Sequence, residues 1–187
     1  GYEVILKTFS DIRIADLCTP IIYGSSKIAA YHRKVLEMQP VNISVINQAE
    51  DAGVNRINII NCADEESKVE LGKSTEIAGE AAFKALEAAC NDLKRGVIDV
   101  LVTAPINKHN IQNDQFHFPG HTEYLEEVFG VSGKKALMIL MSNNLRVALV
   151  TGHLPLSEVV QNITKEDIKS KLSVFNQSLK QDFGIIK

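Results

Sequence analysis

The chain is poor in the features that mark several common protein classes. Its cysteines, Cys18, Cys62 and Cys90, are odd in number and far apart, which leaves neither a CxxC site nor a disulfide framework. Buried free thiols in a reducing compartment are the expectation, and a cytoplasmic location follows as the default. No apolar stretch approaches the ~20 residues that span a bilayer. No signal peptide is visible, although a chain that starts inside a motif could have lost one. A net charge of −3 gives no electrostatic case for nucleic acid or an anionic membrane as partner. G-x-G-x-x-G, P-loop, G-x-S-x-G and H-E-x-x-H signatures are all absent. So are internal repeats, low-complexity tracts and long linkers.

What remains is ordinary globular composition, 45% hydrophobic and 23% charged over 187 residues. That is enough for one domain with its own core, or for a large part of a two-domain enzyme. Apolar runs alternate with amphipathic stretches. Pro20–Tyr23 reads as a strand ended by Gly24, followed by a helix that Ser25 or Ser26 caps and that runs to about Leu36. Asn42–Ile46 and Arg56–Ile60 are further strands, with a loop at Asp51-Ala52-Gly53 between them. The polar stretch Glu65–Gly72 reads as irregular.

Thr75–Lys94 is the clearest helix, with Ile77, Ala81, Ala85, Leu86, Ala89 and Leu93 as its apolar face and Gly96 as its stop. Asp99–Thr103 reads as a strand, Thr122–Phe129 as a short helix closed by Gly130. Ala136–Met141 and Leu145–Val150 are strands separated by Asn143-Asn144, too close for a parallel crossover and therefore a hairpin. Thr164-Lys165-Glu166-Asp167 resembles a capping box that opens a last helix to about Asp182. The expectation is a layered α/β fold, a mixed sheet with flanking helices, in which Val100–Thr103 and Val147–Val150 are central buried strands.

Three segments concentrate chemistry: Thr103-Ala104-Pro105-Ile106-Asn107-Lys108, Gly120-His121-Thr122-Glu123, and Thr151-Gly152-His153-Leu154-Pro155-Leu156. The first and third follow apolar runs, and ligands of open α/β sheets bind beyond the carboxyl ends of strands. The second puts His121 and Thr122 at a helix start, where free N–H groups favour an anion. Each residue also has a plainer role. Thr122 could simply cap its helix, and Lys108 could be a solvated loop lysine. A histidine after a strand, such as His153, is more often a hydrogen-bonded structural residue, and no second histidine at i+2 or i+4 completes a local chelate. His32, His109 and His117 read as structural or exposed, and Met138 and Met141 as core. Together the segments suggest a site for a phosphorylated small molecule.

The same segments resemble the 4-hydroxythreonine-4-phosphate dehydrogenase family of vitamin B6 biosynthesis, whose pattern is roughly T-G-P-x-x-K, then G-H-T-E, then T-x-H-L-P-L. The resemblance runs from Gly1 to the C-terminal end. Ala104 departs from it, standing where the family usually has glycine. Family members are considerably longer, so the resemblance implies that residues 1–187 form a partial α/β dehydrogenase, an N-terminal and central part. It implies an isocitrate/isopropylmalate dehydrogenase-like fold and a homodimer. The implied activity is NAD-dependent (or NADP-dependent) oxidation and decarboxylation of 4-phosphooxy-L-threonine, aided by a divalent metal such as Zn, Mg or Co. His121 and Thr122 match positions that contact substrate, and His153 matches the first of three metal-ligating histidines. Lys108, after the first motif, is a candidate for phosphate binding or proton transfer. Three alternatives share these motifs or the fold: a dehydrogenase of threonate or erythronate 4-phosphate, a phosphate acyltransferase, and a non-catalytic phosphometabolite-binding module.

Overall fold

The computed structural model of the chain describes residues 1–62, 69–131 and 135–185. It divides into two compact units, Gly1–Phe129 and Gly130–Lys187.

The first unit opens with two helices that the sequence reading did not anticipate, α1 (Tyr2–Phe9) and α2 (Ile14–Leu17). Then come β1 (Ile21–Gly24), α3 (Ser26–Val35), β2 (Ile43–Ile46) and β3 (Ile57–Asn61). The three strands form a parallel sheet in the order β1-β3-β2, with Ile22 opposite Ile59 and Ile43 opposite Ile57. Ser25 caps α3 through its side chain, which accepts from Ile28 N, as its position before the apolar-periodic run predicts. Ile22, Ile57 and Ile59 bury against Leu6 of α1 and Ala29 of α3, forming one core. Asn58, on the central strand, is a fully buried polar side chain. It accepts from Gly53 N and donates to the carbonyls of Pro20, Gly53 and Arg56, which accounts for its burial without penalty.

A second core forms around α4 (Glu76–Arg95) and α5 (His121–Phe129). Thr75 caps α4, accepting from Ala78 N, and Gly96 ends it in the left-handed region at φ 71°. The helix stands where the sequence puts it, and Leu86 and Ala89 of its expected face are buried, but the centre of the buried stripe is shifted. Gly79, Phe83, Leu86, Ala89 and Cys90 are buried, whereas Ile77 is exposed. An i, i+4, i+7, i+11 series on Gly79 selects the stripe; size and hydrophobicity alone had favoured Ile77. Ile111 and Phe116, from the loop between the helices, complete this core with no exposed surface.

One expectation fails here. Val100–Thr103 carries neither helix nor strand, and Val100 and Val102 are 72% and 87% exposed. Leu101 between them packs on the α4–α5 core. The alternation is that of extended chain, but a strand also needs a ladder partner. Within this unit no described residue pairs with the segment, since the sheet is β1-β3-β2.

The second unit holds an antiparallel hairpin, β4 (Ile139–Met141) and β5 (Arg146–Ala148), turned at Asn143-Asn144 as expected. It continues with α6 (Leu156–Val159) and α7 (Lys165–Gln181). Thr164 and Asp167 make the foreseen cap, with Asp167 N donating to Thr164 Oγ1 at 3.1 Å. None of this unit's described side chains is buried. Val147–Val150 is therefore no central strand, and Met138 and Met141, at 42% and 61% exposure, are not core within the unit. A two-stranded hairpin offers no second layer to bury them. Cys18 is likewise exposed, against the expectation of buried thiols, while Cys90 is buried and Cys62 half-buried. Of Glu65–Gly72, residues 65–68 lie outside the described residues, and 69–72 carry no helix or strand.

Candidate functional site

Lys108 and His121-Thr122 come together in the first unit. The loop that carries Lys108 is fastened at several points. Asn107 Nδ2 donates to Ser74 Oγ at 3.0 Å, and Asn110 Nδ2 to the Thr75 carbonyl at 2.9 Å, both at the start of α4. Gln112 Nε2 bridges the carbonyls of Lys108 and Phe118. Asn113 Oδ1 accepts from the backbone N–H groups of Gln115 and Phe116, a tight turn that drives the Phe116 ring inward. There it meets Phe83, Phe118 and Tyr124, with ring centroids 5.3–5.8 Å away. Burial pushes the Tyr124 hydroxyl up to about 12 and keeps it neutral.

The far side of the loop delivers the chain into α5. The helix begins at His121, so Thr122 is its second residue and not its cap. Gly120, buried, takes the position before the helix. A Cβ on Gly120 would lie 3.7 Å from Lys108 Cε, 4.0 Å from Lys108 Nζ and 3.6 Å from Glu123 Oε2. An ammonium thus stands at the N-terminus of α5, beside N–H groups that no helical carbonyl satisfies. The arrangement can bind an anionic group, using the lysine charge, the helix start, the Thr122 hydroxyl and the His121 imidazole. Glu123, which the sequence reading gave no role, brings a carboxylate to the same place. The signal was there in the fourth residue of Gly-His-Thr-Glu: a glutamate three residues into a helix turns back toward its start.

Gly1 connects the first motif to the sheet. A Cβ there would sit 3.7 Å from Ala104 Cβ and 3.8 Å from the Pro105 carbonyl oxygen. The next residue, Tyr2, accepts at its hydroxyl from Ser25 N, just beyond β1. The segment after Thr103 is thereby held near the carboxyl end of a parallel strand, although that strand is β1 and not the 100–103 run.

Burial lowers the pKa of His121, and that of His32, which stacks on Tyr2 at 5.5 Å. Glu3 opposes the shift of His32 without reversing it. Both imidazoles are neutral at neutral pH. Since both folded pKa values lie below 6.5, the unfolded chain binds more protons in this range. Stability is accordingly complete above about pH 6.5 and declines as pH falls through the folded values. Thermal melts between pH 7.5 and 5.5 should show the decline, and His32→Gln and His121→Gln should each flatten it. A slope unchanged in both variants would refute the assignment.

His153 lies in the second unit, exposed, at φ 55°. Histidine enters the left-handed region more readily than most residues, but the conformation is uncommon. His109 and His117 are exposed, as read from the sequence, and His117 Nε2 pairs with the Asp114 carbonyl at 2.9 Å. Among the described residues no three His, Cys, Asp or Glu side chains gather into a metal site. No helix there is long and apolar enough to cross a membrane.

A profile of the pyridoxal phosphate biosynthetic protein PdxA family matches residues 16–187. The chain belongs to that family. It is 60% identical over 185 residues to a 4-hydroxythreonine-4-phosphate dehydrogenase of Bacteroides thetaiotaomicron, covering 99% of this chain and 50% of the relative. A Clostridium botulinum relative named for D-threonate 4-phosphate is 27% identical, over 90% of this chain and 50% of its own length. A crystal structure of a 4-hydroxythreonine-4-phosphate dehydrogenase from Burkholderia phymatum superposes with a TM-score of 0.82 at 26% identity, covering 96% of this chain and 54% of that one. The α/β fold expected from the sequence is thus that of the family's solved members. The chain spans about half the length of the curated relatives it matches.

Proposed function

We propose that the polypeptide carrying this chain oxidises 4-phosphooxy-L-threonine with NAD or NADP and that the product loses CO₂. The observation that carries this reading is the Lys108 ammonium at the start of α5, in the Gly-His-Thr-Glu motif of a chain 60% identical to a dehydrogenase named for that substrate. The nicotinamide, when bound, accepts the hydride. The residues of this chain bind and orient. Lys108 and the N-terminus of α5 hold a phosphate or carboxylate, Thr122 donates a hydroxyl hydrogen bond, and neutral His121 donates or accepts one. His153 offers one imidazole to a divalent metal such as Zn, Mg or Co. A single donor does not make a site, so further ligands must come from outside the described residues. A homodimer and a cytoplasmic location belong to the same reading; sedimentation of the complete polypeptide as a monomer at micromolar concentration would remove the first.

The test is reduction of NAD or NADP by the complete polypeptide, supplied in turn with 4-phosphooxy-L-threonine, threonate 4-phosphate and erythronate 4-phosphate. Turnover of the first supports the reading. Turnover of threonate 4-phosphate alone would favour the second reading, to which the Clostridium botulinum relative points. His121→Ala and Thr122→Ala should each raise the KM of the preferred substrate by roughly 10- to 100-fold, the equivalent of a lost charge-assisted hydrogen bond. Unchanged kinetics in both would reduce the pair to structural parts of α5.

A further inference from the structure

Gly79 has no role in the sequence motifs, yet it is a buried glycine inside the longest helix. Glycine is intrinsically unfavourable there, so a close contact is the usual reason for it. A Cβ on Gly79 would lie 1.7 Å from the carbonyl oxygen of Asn110, 2.3 Å from its carbonyl carbon and 2.9 Å from Ile111 N. All three are backbone atoms, so no side chain can swing away to make room. The backbone of the Asn107–Ile111 turn therefore rests directly on α4. The Asn107–Ser74 and Asn110–Thr75 hydrogen bonds pin the same seat, and the fully buried Ile111 anchors its end. Lys108 is inside this turn, and its ammonium reaches Gly120 at the start of α5.

We propose that Gly79 is a positioning residue: its missing side chain sets how deeply the turn seats on α4, and so where the Lys108 ammonium stands against the N-terminus of α5. The functional weight of this rests on Lys108 serving the anion site described above; the geometric claim does not. A methyl group at position 79 cannot be accommodated unless the turn lifts, and lifting it carries Lys108 away from Gly120.

The experiment uses Gly79→Ala in the complete polypeptide, with Leu6→Ala as control. Leu6 is buried in the other core, so its loss lowers stability without touching the turn. Reductive methylation of Lys108, timed by peptide mass spectrometry against the other lysines, reports its surroundings without any substrate. Gly79→Ala should change that rate by about threefold or more and raise the KM for 4-phosphooxy-L-threonine about tenfold, with a smaller effect on kcat. Leu6→Ala should leave the Lys108 rate as it is. An unchanged Lys108 rate in Gly79→Ala, or the same change in Leu6→Ala, overturns the proposal. A changed rate with unchanged KM upholds the positioning by Gly79 and removes Lys108 from the substrate site. If Gly79→Ala does not fold, Asn110→Ala, which releases the pin to Thr75, carries the test. It should change the Lys108 rate by about threefold or more, and a wild-type rate there overturns the proposal.

Discussion

His153→Ala is expected to lower the activity of the complete polypeptide by at least about 100-fold, more than the roughly 10- to 100-fold that altering even a partner of a metal ligand costs. Two observations motivate this. His153 sits in the Thr-Gly-His-Leu-Pro-Leu motif, and its backbone holds the uncommon left-handed conformation at φ 55° while the side chain remains exposed. Strain kept in an exposed residue needs a reason, and a required imidazole direction supplies one. Alanine is also unfavourable at positive φ, so His153→Gly is the necessary companion. Glycine relieves the backbone and still removes the ring. Both variants should lose activity and bound metal alike, as measured by steady-state rates and elemental analysis, and both should fold. Wild-type metal content and rate in the glycine variant would end the proposal that His153 binds a metal.

Phe116→Ala is expected to cost about 3–5 kcal/mol, a large share of the ~5–15 kcal/mol that holds a typical domain together. Phe116 has no exposed surface and contacts the rings of Phe83, Phe118 and Tyr124. Its removal opens a cavity that a loop pinned to α4 cannot close, because the loop is already bonded at Asn107, Asn110 and Asn113. The same loop leads into α5, so substrate affinity should fall together with stability. Denaturant unfolding of Phe116→Ala and Phe116→Leu checks this, with leucine expected to recover much of the loss. A cost below about 1 kcal/mol for alanine would mean that this ring is not the centre of the core.

Local signals were legible wherever the deciding forces are local. Ser25 and Thr164 cap the helices they precede, and Gly96 ends α4, because a cap needs only residues within one turn of chain. The Asn143-Asn144 hairpin was legible for the same reason. The helices α1 and α2 were not read, although Tyr2, Ile5, Leu6 and Phe9 mark the inner side of α1. The three motifs pointed to the family because functional groups are constrained in identity as well as in polarity.

The sequence by itself determined the α/β class, the ends of the helices it revealed, the family and the residues that could do chemistry. Tertiary structure decided which apolar residues are covered. Val100, Val102, Ile77 and Met141 are apolar, as Ile59 and Ile111 are, yet the first four are exposed and the last two fully buried. Burial depends on whether another layer lies opposite, and hydropathy along the chain does not contain that information. The meeting of Lys108 with the start of α5 was also decided in three dimensions. It requires Phe116 in the core, Asn110 on Thr75 and no side chain at Gly79, contacts made between residues that the sequence holds far apart.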